Sequence, residues 1–345
     1  MHPDLLALLD AVRDDPGDDT VRLVLADWLQ EFGRDDAERA RAEFIRLQCQ
    51  KARLFAETWD FRIVSALPKY QELAAQEALL RRTHLSSWLG EWKPHIMRPD
   101  TDETWFERGM MRPWVRGLDG IPHDPSVWAW VDGLVILSPT LEGVENLTGS
   151  PLMGRLNALD FGPDSWADDA DIGDAGARAI ASSPYLTQLT SLVLTDTGIG
   201  AEGAKAIAES RRLATLTSLE LLGFDCTRSN HIGNGGARAL AESPHMARLT
   251  RLRLPENGIG VDGAKAIAES VHLSGLTYLE LSANPIGPEG ARALAASPYL
   301  NRLTYLGLEL STSRDRSAGV RADAKEIEDA SMILQQRFGA VWSGH

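Results

Sequence analysis

Two hexapeptides, "GIGAEG" at 198–203 and "GIGVDG" at 258–263, carry glycines at the spacing used to cradle a pyrophosphate. In such a site the glycines permit a tight turn and a close backbone approach. The helix that follows offers its free N–H groups to the anion. Both hexapeptides follow an alternating apolar stretch that predicts a strand, and both open a stretch that predicts a helix. An acid follows at Glu220 and Glu280, about twenty residues on, as the fingerprint requires. Related segments nevertheless replace the first glycine freely, with His231 in "HIGNGG" and Pro285 in "NPIGPEG". The glycines therefore read as the turn of a repeat, not as a nucleotide site. Asp164, Asp168, Asp169 and Asp171 are of a type that binds hard cations, but their spacing fits no EF-hand loop. The eight histidines (2, 84, 95, 123, 231, 245, 272 and 345) are scattered, and there is no HExxH, no GxSxG and no metal-spaced Cys/His group. The sequence thus presents no catalytic residues, no metal site and no cofactor site, and reads as a non-enzyme.

What positions these turns is a recurring unit. The phrase L-T-x-L-x-L begins at Leu189, Leu216, Leu249, Leu276 and Leu303, with a degenerate start at Leu156, so the steps are 33, 27, 33, 27 and 27 residues. Removing six residues from each long step leaves one period of 27. The first half of each unit, such as Leu276–Leu281, alternates apolar and polar residues and predicts a short half-buried strand. A cluster of Asn, Gly, Asp or Pro then breaks it. The second half, such as 287–300, places Ala291, Leu294 and Ala295 on one helical face and stops at Pro298. One unit buries about eight apolar side chains at roughly 1.5–3 kcal/mol each, against about 1–2 kcal/mol of backbone entropy for every residue ordered. It cannot fold alone, so the units must stack, with parallel strands on one side and helices on the other.

The pattern L-x-x-L-x-L-x-x-N-x-I/L-G, met by Leu249, Leu252, Leu254, Asn257 and Ile259 and again by Leu276, Leu279, Leu281, Asn284 and Ile286, resembles the leucine-rich repeat. The helix in every unit points to its ribonuclease-inhibitor-like class. The Asn position of the unit at Leu189 is Thr197, which departs from the pattern. The resemblance covers roughly residues 131–310. It implies an α/β solenoid, an arc of parallel inner strands and outer helices.

Ahead of the array, residues 1–92 predict helices: an apolar face at Leu5, Leu6, Leu8, Leu9 and Val12, a second helix over 20–33 ended by Gly33, a third over 38–55, and one or two over 68–90. "RLVLADWLQEFG" followed by "AEFIRLQCQ" resembles the bacterial repeat-companion domain, through Leu25, Ala26, Asp27, Trp28, Leu29, Glu43, Phe44, Ile45, Leu47 and Gln48. "FERGMMRPWV" (106–115) resembles the strand that follows that module. Trp28 and Phe44 are expected in the core, with Asp27 capping or pairing with an arginine such as Arg46. The expected organisation is a helical companion domain at 1–97, a cap and irregular first repeat at 98–155, repeats at 156–310 and a C-terminal cap at 311–345. In that cap a stripe of Ile327, Ala330, Ile333, Leu334 and Phe338 covers the last unit, and "GAVW" (339–342) supplies a last strand.

Composition narrows the function. The net charge of −14 argues against nucleic acid and against anionic membrane surfaces. Two cysteines, Cys49 and Cys226, in unrelated contexts fit a reduced compartment, and the N-terminus has no basic n-region, so the expectation is a cytoplasmic chain.

The remaining candidate is recognition. Strand positions facing away from the helices form two columns. The third-position column is Ala158, Ser191, Ser218, Arg251, Tyr278 and Tyr305, and the fifth is Asp160, Val193, Glu220, Arg253, Glu280 and Gly307. Adjacent strands lie about 4.8 Å apart, so Glu220, Arg253 and Glu280 form a row and Arg251 neighbours Tyr278. Such a row serves either as a self-satisfied charge ladder or as an interface, in which Tyr and Arg are common anchors. The two six-residue insertions, within 162–171 and 222–231, fall at the same point of their units and contribute Trp166, Phe224, Arg228 and His231 to one rim. Duplication of a two-unit block accounts for that shared position equally well. The expected partner is a protein, with a basic patch to match the acidic chain. Two other functions stay open: a GTPase-activating role through Arg228, implied by likeness to the Ran activator repeats, and an assembly role in which the helical domain docks.

Overall fold

The computed structural model describes residues 1–58, 61–97, 106–116, 121–163, 172–223, 229–310, 324–339 and 342–343. They divide into two compact units, one of residues 1–115, 119–135 and 155–157, the other of 116–118, 136–154 and 158–345.

The first unit is led by helices α1 (Pro3–Asp14), α2 (Asp19–Phe32), α3 (Asp36–Thr58), α4 (Phe61–Ala66) and α5 (Pro68–Leu89). Side chains explain the boundaries. Asp18 accepts from the backbone N–H of Thr20 and caps α2. Gly33 ends α2 with a φ of −56°. A side chain there would fall 2.4 Å from the Leu29 carbonyl oxygen, so the glycine serves close approach and not a left-handed cap. Leu5, Leu9, Val12, Leu25, Ala26, Leu29, Ala42, Ile45 and Cys49 form the core, joined by Met110 and Ala129. The expected strand over 106–115 is instead a hairpin: β1 (Phe106–Glu107) pairs antiparallel with β2 (Met110–Met111), and β3 (Trp114–Arg116) follows. Arg108 and Gly109 turn it with φ of 48° and 90°, the left-handed pair that a two-residue hairpin demands. Arg41 is buried here, its guanidinium 3.8 Å from the centre of the Trp130 ring and donating to the Gly109 carbonyl. Phe44 is fully buried as expected, and Asp27 pairs with Arg46 at 2.8 Å. Trp28 packs against this core at its edge and is only half-buried, with its ring beside His2 and Phe32.

The second unit alternates strand and helix. β4 (Gly133–Leu137) enters it, followed by α6 (Leu141–Thr148), β5 (Ala158–Gly162), α7 (Gly173–Ser182), β6 (Ser191–Thr195), α8 (Ala201–Glu209), β7 (Ser218–Leu222) and α9 (Gly233–Glu242). Then come β8 (Arg251–Arg253), α10 (Val261–Ala268), β9 (Tyr278–Glu280), α11 (Gly287–Ala296), β10 (Tyr305–Gly307), α12 (Ala324–Phe338) and β11 (Trp342–Ser343). The strands lie side by side in chain order, and from β5 to β11 each registered neighbour is parallel, apart from an unbroken succession of helices on one face. Leu159, Leu192, Leu219, Leu252, Leu279 and Leu306 stand in one row under the helices, none more than 1% exposed. At roughly 1.5–3 kcal/mol per buried leucine, this row is a principal source of stability, and no single unit could provide it.

Polar ladders lock the stack. Asn230, Asn257 and Asn284 are buried in the turns after the strands. Asn257 Nδ2 donates to the Leu221 and Pro255 carbonyls at 2.7 and 2.8 Å, and Asn284 Oδ1 accepts from the N–H groups of Asn257 and Ile259. Thr197, where the pattern asks for Asn, is served by its neighbour: its N–H and hydroxyl both donate to Asn230 Oδ1. Behind the helices Ser210, Ser243, Ser270 and Ser297 each donate to a carbonyl of the preceding helix, at Ala181, Ala208, Ala241 and Ala268. At the far end α12 packs on α11 with Ala330 and Leu334 buried, and β11 pairs with β10. Ile333 departs from the expected stripe and is 39% exposed, since Ala330 and Leu334, four apart, already define the covered face.

Candidate functional site

The glycine hexapeptides can be judged first. Gly200 and Gly203, the donors that a phosphate would need at the start of α8, both donate to Asp174 Oδ1 at 2.8 Å. At α10 the same two donors, Gly260 and Gly263, bond Asn234 Oδ1 at 2.7 and 3.0 Å. The helix N-termini are thus occupied by a side chain of the preceding unit. Gly198 and Gly258 sit at φ of 71° and 67°, which the turn itself requires. Among the described residues no group of His, Cys, Asp or Glu is placed to hold a metal ion. Cys49 is buried, and burial, followed by the influence of Asp19, pushes its thiol up to about 12, which leaves it unreactive.

The sheet face opposite the helices carries the two columns in the anticipated register. Ala158, Ser191, Ser218, Arg251, Tyr278 and Tyr305 are successive partners, as are Asp160, Val193, Glu220, Arg253, Glu280 and Gly307. The first three members of the third-position column are small. The last three form a stack: the Arg251 guanidinium lies 3.9 Å from the Tyr278 ring centre, and Tyr278 and Tyr305 are 4.1 Å apart and nearly parallel at 9°. All three are half-exposed.

The charges of the other column sort differently from a simple row. Arg253 donates to Glu220 at 2.8 Å. Glu280 turns away, accepting from the Tyr305 hydroxyl at 2.8 Å and from the Ser282 N–H at 2.9 Å. It lies across Gly307, where any side chain would meet its carboxylate at 2.2 Å. Asp160 is half-buried with no hydrogen bond or ion pair among the described residues, and burial, followed by the negative Glu220, pushes its carboxyl up to about 7.

The rim is only partly placed. Trp166, Phe224 and Arg228 lie outside the described residues, as do the four loop aspartates. His231 is exposed at the end of the second insertion, its ring over Gly258 of the next unit and its N–H bonded to the Ile199 carbonyl at 2.8 Å. Asn230 and the serines were not singled out from the sequence. The serines recur with the same steps as the leucines, a signal that was available. Asn230 was hidden because the insertion displaces it from its expected distance after the strand.

The repeats match the family model for the leucine-rich repeat at residues 185–208, 245–268 and 272–295. These units form a leucine-rich repeat solenoid. Arrays of this kind commonly bind other proteins and typically serve as scaffolds without enzymatic activity. No curated protein matches the chain in sequence. Among the described residues no helix is long and apolar enough to cross a membrane.

Proposed function

We propose that this leucine-rich repeat protein binds a protein partner through the sheet face opposite its helices. The observation that carries this reading is the Arg251–Tyr278–Tyr305 stack, an ordered and half-exposed wall beside small residues. Stacked Tyr and Arg side chains present large contact areas at low conformational cost, which is the property of interface anchors. The contact set is Ser191, Val193, Ser218, Glu220, Arg251, Arg253, Tyr278, Glu280 and Tyr305, with Trp166, Phe224, Arg228 and His231 of the rim. The partner carries a basic patch, complementary to a chain of net charge −14.

The array is of the ribonuclease-inhibitor-like class, a reading supported by α7 to α11, one helix for each period. The helical region is a bacterial repeat-companion module, supported by the burial of Leu25, Ala26, Leu29, Phe44, Ile45 and Leu47 at its motif positions. The chain acts in the cytoplasm. Crosslinking in the native cell with mass spectrometry identifies the partner, and the Arg251→Ala, Tyr278→Ala double variant then tests the face. Its affinity for that partner should fall about tenfold or more with the melting temperature retained. Unchanged affinity would move the site elsewhere.

A further inference from the structure

The face is not uniformly charged, and the distinction lies in which charges are already answered. Glu220 is matched by Arg253, and Glu280 by the Tyr305 hydroxyl and the Ser282 N–H. Asp160 and Arg251 have no ion pair and no hydrogen bond among the described residues. Tyr278 covers one side of the Arg251 guanidinium and leaves the side toward Ser218. Between the two unanswered charges lie Ser191, Val193 and Ser218, bordered by the Glu220–Arg253 pair. Asp160 is on β5 and Arg251 on β8, three strand spacings or about 14 Å across the sheet and two residues or about 7 Å along it, so the two positions stand about 16 Å apart.

We propose that this face takes a protein segment bearing one basic and one acidic side chain that meet charges about 16 Å apart, the basic one beside Val193 against Asp160 and the acidic one against Arg251. The inference rests on the partner-binding reading above and adds the partner's chemistry and direction. An extended segment spans that distance in about five residues, at roughly 3.3 Å each. The Arg–Tyr wall fixes the end at which it must stop. A cation over Val193 stands between Asp160 and Glu220, and because Arg253 already answers Glu220, Asp160 is the carboxylate left to attract it, while Arg251 repels the same cation from the third-position column. The segment therefore binds in one direction only. The raised carboxyl of Asp160 agrees with this, since a partner's cation restores the ionised form that burial disfavours.

The test uses the full chain and a phage-displayed library of random dodecapeptides. Enriched peptides should combine Lys or Arg with Asp or Glu. Binding of the best of them should fall about tenfold on Asp160→Asn, and a version with its basic residue replaced by Gln should bind both forms equally. Arg251→Gln should give the mirror result with the acidic residue. Equal binding to Asp160→Asn and the native chain overturns the proposal, as does a selection that yields no two-charge peptide. If Tyr278→Ala weakens the peptides while Asp160→Asn does not, the charge pairing is wrong and the face stands. If neither weakens them, both readings fail.

Discussion

Asp160 offers a measurement that needs no partner. Its carboxyl is displaced from an ordinary 3.8 to about 7 by burial and then by Glu220, with Arg253 engaged to Glu220 beyond it. The displacement is upward, so the sign is opposite to that of a salt-bridged acid. Between about pH 4 and 7 the folded chain holds a proton that the unfolded chain has released. Stability from this group is therefore fully present below pH 4 and is lost as the pH rises to 7. Each pH unit is worth about 1.4 kcal/mol, which gives a ceiling of about 4 kcal/mol, and partial solvent access brings it to about 2–4 kcal/mol. Asp160→Asn removes the dependence, and subtraction of the two proteins cancels every other titrating group. In urea unfolding from pH 5.5 to 8.5, the variant's advantage should grow by about 2 kcal/mol and level off just above pH 7. A difference that stays flat, or that widens toward acid, refutes the account of Asp160.

Two further substitutions probe the scaffold. Asn257→Ala strips the buried Leu221 carbonyl and the Ile232 N–H of the amide they bond and leaves the Pro255 carbonyl to the Gly223 N–H, and should lower stability by about 2–4 kcal/mol in urea; a loss under 1 kcal/mol would remove the asparagine ladder from the account. Gly307→Ala drives a methyl into Glu280 and should cost about 1–3 kcal/mol, much of it recovered when Glu280→Ala is added, so additive losses in the double-mutant cycle would contradict the contact.

The period of 27 was legible because each unit repeats its leucines, and repetition turns a weak pattern into a strong one. The columns followed from the strand alternation alone, and the pairs Tyr278–Tyr305 and Arg251–Tyr278 stand where the register put them. What escaped the sequence was which neighbour each side chain would choose. Glu280 prefers the Tyr305 hydroxyl to Arg253, because Gly307 leaves space for its carboxylate to cross. The hairpin at 106–111 was read as one strand, since the left-handed turn at Arg108 and Gly109 leaves only one glycine as its trace. Residue type places Trp28 with the core, and its position on α2 sets it at the edge of that core, half-buried.

The caps on α8 and α10 have a consequence for how such a chain changes length. Asp174 and its counterpart Asn234, sixty positions later, each serve the helix that follows, so neighbouring modules are unlike and alternate modules are interchangeable. Excising 189–248 would set Asp174 before Gly260 and Gly263, where Asn234 now stands, and the cap would be restored. Excising 216–248 alone would remove Asn234 and leave the start of α10 bare. At the next turn of this alternation stands Pro288, whose side chain has no oxygen to accept with, and there the succession of interchangeable parts gives way to the closing helix.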